Sequence, residues 1–197
     1  MSLLKLSPLL VTLLLMRTAA QPQESGCDKE PKISPYIVTG TTAEELENSI
    51  LSNGPVDEQG VRRYAYTAWK VSWSWPFDTE GKPEFEKSTL TCNVNIMIPK
   101  WDPPSNVDTQ LRKRWEQLSA AILSHEMNHA NKALERAPRI IDNIKAAREA
   151  NPNFAWDDAN RVGFMTLRTI RDLDRSYDLK TKHGKLEGIS TQVLFGK

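Results

Sequence analysis

"VDTQLRKRWEQLSAAILSHEMNHANKALER", residues 107–136, decides the architecture of the chain. Leu111, Trp115, Leu118, Ile122, His125 and His129 recur at steps of four and three, so they share one face of a helix. That spacing predicts a helix over Val107 to about Arg136 with both histidines on the inward stripe. Two imidazoles one turn apart, about 6 Å along the axis, can chelate one ion. Glu126 is rotated off their line and stands beside such an ion, where a carboxylate can take a proton from a coordinated water. This geometry is why H-E-x-x-H carries hydrolytic chemistry. The competing reading is two buried imidazoles hydrogen-bonded to neighbours. It needs several polar partners, whereas one cation satisfies both histidines and the glutamate.

Zinc takes a third protein ligand and keeps an open position for water. A metzincin pattern would place glycine at 132 and histidine at 135, where this chain has Lys132 and Glu135. On a continuing helix Glu135 is carried about 9 Å beyond His129 and cannot close the site. The chain has 3 histidines, and the last, His183, lies in "YDLKTKHGKLEG" at 177–188, after a helix and before a glycine. His183 is the expected third ligand. Asp178 is the competing ligand, or an acceptor that orients a histidine. If His183 is a solvated loop residue, Asp157, Asp158, Asp172 or Asp174 completes the set.

Upstream, "YIVTG" ending at Gly40 reads as a short strand. It feeds a helix in "TTAEELENSILSNG", where Thr41 with Glu44, or Thr42 with Glu45, fits a capping box and Gly54 stops the helix. From Tyr64 to Phe77 the chain alternates, with Trp69, Val71, Trp73, Trp75 and Phe77 on one side. Leu90, Cys92, Val94, Ile96 and Ile98 alternate in a second run, expected as its antiparallel partner and ended by Pro99 and "DPP". Downstream, Pro138 ends or kinks the long helix, "RIIDNIKAAREANP" makes a short one, and a third runs from about Phe154 to Asp178. Its predicted inner face is Trp156, Ala159, Leu167, Ile170, Leu173 and Tyr177. The fold class is therefore α+β: a small N-terminal antiparallel sheet with one helix, then a C-terminal helical part carrying the histidine motif.

At 197 residues the chain suits one domain, placed at 36–190. Residues 1–20 read as a secretory signal: Lys5, the apolar "PLLVTLLLM" and the small residues of "TAA" before Gln21. Residues 21–35, rich in Pro, Gln, Glu, Lys and Ser, read as a flexible leader. Without residues 1–20 the chain holds 24 basic and 25 acidic residues, about −1 net, which offers nothing to nucleic acid. No later stretch approaches the roughly 18–20 apolar residues of a membrane span. Secreted or periplasmic localisation follows, with no membrane association after signal cleavage. In that setting Cys27 and Cys92 can form one disulfide, or Cys92 is simply a small buried apolar residue.

Six blocks, "YIVTGTTAEEL", "NGPVDEQG", "YTAWKVSWSW", "IMIPKW", "RWEQLSAAILSHEMNH" and "YDLKTKHGKLEG", resemble in order those of a bacterial family of predicted secreted zinc-dependent proteases. The likeness covers residues 36 to 190. Its most specific parts are the helix with His125, Glu126 and His129 and the block with Tyr177, Asp178, Thr181, His183 and Gly184. The family's blocks usually carry glutamine where this chain has Glu187. The resemblance implies an exported, zincin-like metallopeptidase acting on peptide or protein substrates.

The expected mechanism has His125, His129 and His183 holding Zn²⁺, Glu126 as general base, and Tyr177 donating to the developing oxyanion if its helix end approaches the metal. The alternative function is a zinc-stabilised extracellular binding module without catalysis. There Trp69, Trp73 and Trp75 would form a platform for glycans or a cell-wall polymer.

Overall fold

The computed structural model describes residues 26–196. The expected signal and the start of the leader lie outside the described residues. Four strands and four α-helices follow in the order β1 (Gly26–Cys27), β2 (Lys32–Val38), α1 (Ala43–Asn53), β3 (Tyr66–Ser74), β4 (Thr89–Trp101), α2 (Thr109–Arg136), α3 (Arg139–Ala150) and α4 (Trp156–Thr181). The chain is α+β, with sheet and one helix first and the long helices after.

β4 is the spine of the sheet. β3 runs antiparallel to it from Ser74↔Thr89 to Tyr66↔Met97, the pairing expected from the two alternating runs. β1 and β2 pair with β4 in parallel, so the sheet is mixed and not purely antiparallel. Both lie along the β4 edge that β3 leaves free, because their partners, Thr91–Cys92 and Asn95–Trp101, overlap the stretch β3 already covers. Residues 26–35, read as leader, thus hold β1 and the first part of β2. The segment is polar because it occupies a sheet edge, where most of its side chains face solvent.

Pro99 does not end β4, which continues to Trp101. β3 pairs only as far as Met97, so the missing N–H of Pro99 breaks no rung with β3, the tolerance proline finds at a strand's unpaired flank. Cys27 and Cys92 are register partners on β1 and β4, near each other with no S–S bond between them in this structure.

α1 begins as its sequence directs. The Thr42 hydroxyl accepts from Glu45 N–H at 3.2 Å, while Glu45 Oε2 accepts from Thr41 N–H at 2.6 Å. Leu46 and Ile50 are buried, and Gly54 N–H closes the helix on the Ile50 carbonyl.

The apolar residues form two clusters joined by α2. One gathers Leu90, Cys92, Val94 and Ile96 of β4 with Ala130 and Ala133 of α2, Ile140 and Ile144 of α3, and Leu167 and Ile170 of α4. The other packs Val38, Leu46 and Ile50 against Leu111, Trp115, Leu118 and Ile122 of α2 and Leu194 near the C-terminus. Burying such side chains contributes roughly 1.5–3 kcal/mol each.

The aromatic face of β3 packs on helices. Trp73 meets Phe164 edge-on at 5.3 Å and donates Nε1–H to Asn160 Oδ1 at 3.3 Å. Trp75 stands edge-on to Phe85 at 5.1 Å. α4 comes so close at Gly163 that a Cβ there would lie 2.5 Å from the Trp73 ring. Trp156, expected on the inner face of α4, is instead 53% exposed, because as the first residue of α4 it lies beyond the packed turns.

Candidate metal centre

The inward stripe of α2 is apolar up to Ile122 and again from Ala130, and between them His125, Glu126 and His129 are buried at the junction of the two clusters. α4 supplies what faces them. Its buried residues Leu167 and Ile170 set a face that Asp174 and Asp178 continue at steps of four, so both carboxylates turn inward toward α2.

His129 Nδ1 meets Asp174 Oδ1 at 3.0 Å, and His125 Nδ1 meets Glu187 Oε2 at 2.7 Å. With a carboxylate on each Nδ1, a neutral ring that keeps its proton there presents its Nε2 lone pair to the pocket. The two Nε2 atoms stand 3.3 Å apart. Asp178 Oδ1 joins them, 3.2 Å from His125 Nε2 and 3.1 Å from His129 Nε2. With both rings in that form three acceptor atoms converge, an arrangement that a cation completes. Ligand atoms about 2.0–2.1 Å from a tetrahedral zinc stand roughly 3.3–3.4 Å from one another, close to the separations found here. His125, His129 and Asp178 are the described residues whose donor atoms gather as a metal site would need.

Without an ion, the surrounding carboxylates favour protonated rings. Burial pulls the His129 pKa down, but the Asp174 and Asp178 carboxylates outweigh it and raise it to about 9. For His125 burial also acts downward, and Asp178 and Glu187 again win, so its pKa rises. Burial pushes the Asp178 carboxyl up, and the two imidazoles against it reverse this and bring it below the usual carboxylate range. The carboxylates thus favour positive charge here, carried by the imidazoles when they are protonated or by a cation that takes the place of their Nε2 protons.

Glu126 is buried, and burial raises its pKa despite the hydrogen bond from Thr67. Thr67 of β3 donates its hydroxyl to Glu126 Oε2 at 2.6 Å, and no described residue hydrogen-bonds Oε1. Composition gave no sign of Thr67. Its place two residues before Trp69, on the same alternating face of β3 that turns Trp69 and Trp73 inward, is the signal that could have found it. A cleft of about 730 Å³ opens over the group, lined by Thr67 and Trp69 of β3, Glu126, Asp178 and His183.

His183 lies on the rim of this cleft, 56% exposed at its side chain, with Nδ1 3.7 Å from Asp178 Oδ2. It stands outside the converging three, and Asp178, the competing residue, occupies the third position. The reason is local. α4 ends in a turn with Lys182 and His183 both left-handed (φ 53° and 54°) and Gly184 at φ 77°. His183 N–H returns to the Asp178 carbonyl at 2.7 Å, and Thr181 Oγ1 accepts Gly184 N–H at 3.1 Å. Thr181 and Gly184 are turn-makers, and the turn swings His183 outward while Asp178 stays on the inner helical face.

Tyr177 approaches the site but presents its ring rather than its hydroxyl. The ring stacks on His125 at 5.0 Å, and its hydroxyl donates to Glu187 Oε1 at 2.8 Å and accepts from Asn128 Nδ2 at 2.9 Å. That commits the hydroxyl to the Nδ1 side of His125, away from the converging acceptors. Asp157, Asp158 and Asp172 do not join the group; Asp158 caps the start of α4 by accepting Ala155 N–H at 2.9 Å.

A family model described as a bacterial protein of unknown function, DUF922, matches residues 33–184. The chain belongs to that family. The match takes in α2 with His125 and His129 and α4 with Asp174 and Asp178, so the gathered donors of this DUF922 member all lie within it. No curated protein and no solved structure shows significant similarity to the chain.

Proposed function

We propose that this DUF922 chain is an exported zinc-dependent peptidase in which His125, His129 and Asp178 hold the ion and Glu126 is the general base. The observation that carries the reading is the meeting of three ligand atoms 3.1–3.3 Å apart, with the two imidazoles each backed at Nδ1 by a carboxylate. Zinc bound there supplies Lewis acidity and lowers the pKa of a water in its open position to around 7.

The chain's own residues do the rest. Thr67 fixes Glu126 through Oε2, which leaves Oε1 to take the proton of the attacking water. As the water oxygen bonds to the peptide carbonyl carbon and the C–N bond breaks, Glu126 passes that proton to the leaving amine. The edge of β3 that no described strand pairs suits an extended peptide added as a further strand beside Thr67 and Trp69 of the cleft. His183, half exposed on the rim, is the polar group placed to hydrogen-bond a substrate carbonyl, a task the Tyr177 hydroxyl is too engaged to perform. The glycan-platform alternative draws no support from the tryptophans, whose rings are partly buried against the core.

The test is metal analysis of the purified protein with a casein or peptide digest by wild type and Glu126→Gln in parallel. The expected result is one zinc per chain in both, with hydrolysis by the variant reduced by several orders of magnitude. Equal turnover by the two proteins overturns the general-base assignment, and a wild type that takes up no zinc overturns the metal.

A further inference from the structure

Two carboxylates in this region belong neither to the three gathered donors nor to the general base: Asp174, on His129, and Glu187, on His125. Glu187 sits just past the left-handed turn, in the short 3-10 segment Lys185–Glu187, and both its oxygens are engaged. Oε2 is 2.7 Å from His125 Nδ1 and Oε1 accepts the Tyr177 hydroxyl at 2.8 Å. Tyr177 is itself fixed from three sides. Its hydroxyl accepts from Asn128 at 2.9 Å, its ring stacks on His125 with the planes 22° apart, and the Lys132 ammonium lies 3.5 Å over its centroid. Asn128 and Lys132 come from α2, Tyr177 from α4 and Glu187 from the turn, so three segments meet on the outer side of one imidazole.

We propose that Glu187 is the positioning residue of His125. Clamped by Tyr177, it holds the ring in the Nδ1–H form with the Nε2 lone pair aimed at His129 and Asp178. The inference rests on the zinc reading for its consequence, the affinity of the site, but not for the arrangement of the ring. An imidazole is held in one tautomer by whatever accepts its far N–H, and loss of such a partner typically weakens metal binding by about 10–100-fold.

Glutamine can accept the Nδ1 proton through its amide oxygen but turns its NH₂ toward the Tyr177 oxygen, which already accepts from Asn128. Glutamine therefore restores the first contact and disturbs the second. Alanine removes both and leaves the tyrosine hydroxyl and the imidazole N–H without their acceptor.

The experiment compares wild type, Glu187→Ala and Glu187→Gln by competition titration with zinc, and by ring-nitrogen NMR of His125 in the metal-free proteins at a pH where the ring is neutral. Glu187→Ala is expected to bind zinc about 10–100-fold more weakly and to lose the single Nδ1–H pattern, while Glu187→Gln recovers most of both. Unchanged ring-nitrogen signals in Glu187→Ala, or zinc affinity within twofold of wild type, overturns the assignment. A wild type that does not bind zinc overturns the peptidase reading instead, and the His125 signals then still decide whether Glu187 sets the ring.

Discussion

His125 and His129 lie on one stripe of one helix, yet their orienting carboxylates come from unlike parts of the molecule. Asp174 projects from within α4, one turn past buried Ile170, and it also accepts Trp69 Nε1–H of β3 at 3.3 Å. Glu187 projects from the 3-10 segment that follows a turn with two left-handed non-glycine residues, and it leans on another side chain, Tyr177. One imidazole is held by the packed core and the other by a C-terminal clasp. The difference implies that the His129 side is preformed, whereas the His125 side depends on how well the turn after α4 is made.

The largest effect that can sharpen this contrast comes from Asp178, which belongs to the helix, set against His183, which belongs to the turn. Asp178→Ala is expected to weaken zinc binding by more than about 100-fold, beyond the range for loss of an orienting partner. His183→Ala should leave affinity within a few-fold of wild type and lower turnover. Zinc titration of both variants decides the matter. If His183→Ala loses as much affinity as Asp178→Ala, the turn closes onto the ion and the proposed third position is shared or exchanged.

A smaller effect tests the packed side. Gly163→Ala adds a Cβ that would stand 2.5 and 2.7 Å from two atoms of the Trp73 indole, a ring also held by Asn160 and Phe164. Overpacking of this kind costs about 1–3 kcal/mol, partly offset by the roughly 1 kcal/mol that alanine gains over glycine inside a helix. Net destabilisation lowers the melting temperature by about 2–4 °C per kcal/mol in a chain of this size. If α4 is pushed off β3, zinc affinity falls with it. A variant as stable as wild type, with unaltered affinity, would show that the Trp73 contact does not set the position of Asp174 and Asp178.

These two sides also mark what could be read from the chain alone. The α2 stripe, the β3–β4 pair and the cap of α1 were legible because each is written in local periodicity or in a short capping pattern. β1 and the first half of β2 were not, since a polar segment on a sheet edge takes its structure from the backbone of β4 and leaves little trace in its own composition. Pro99 misled for the same reason: whether a proline ends a strand depends on whether a neighbour needs its N–H. In the site, scarcity of histidine drew attention to His183. The helical phase that places Asp178 four residues after Asp174 and eight after Ile170 is the stronger guide, because the face of α4 is fixed by its core residues. Glu187 stood out only as a departure from a pattern. Its link to His125 runs through a tertiary contact between residues 62 apart in sequence, which no local rule encodes.

The smallest expected effect probes the turn itself. Lys182 holds φ 53° as the residue that caps α4, a left-handed conformation that costs a non-glycine residue about 1–2 kcal/mol. Its main-chain N–H bonds Leu179 O at 3.3 Å, and its side chain makes no hydrogen bond or ion pair with the described residues. Lys182→Gly therefore removes strain without removing such a contact, although glycine gives back part of the gain through the greater freedom of the unfolded chain. The net expectation is stabilisation of up to about 1 kcal/mol, read as a rise of roughly 2–4 °C in melting temperature. If the clasp is limited by how well this turn forms, the same variant should bind zinc slightly more tightly, because Glu187 is then held more often against His125. A more stable protein with unchanged affinity would separate the two, and would mean that Tyr177 alone keeps the Glu187 carboxylate in place.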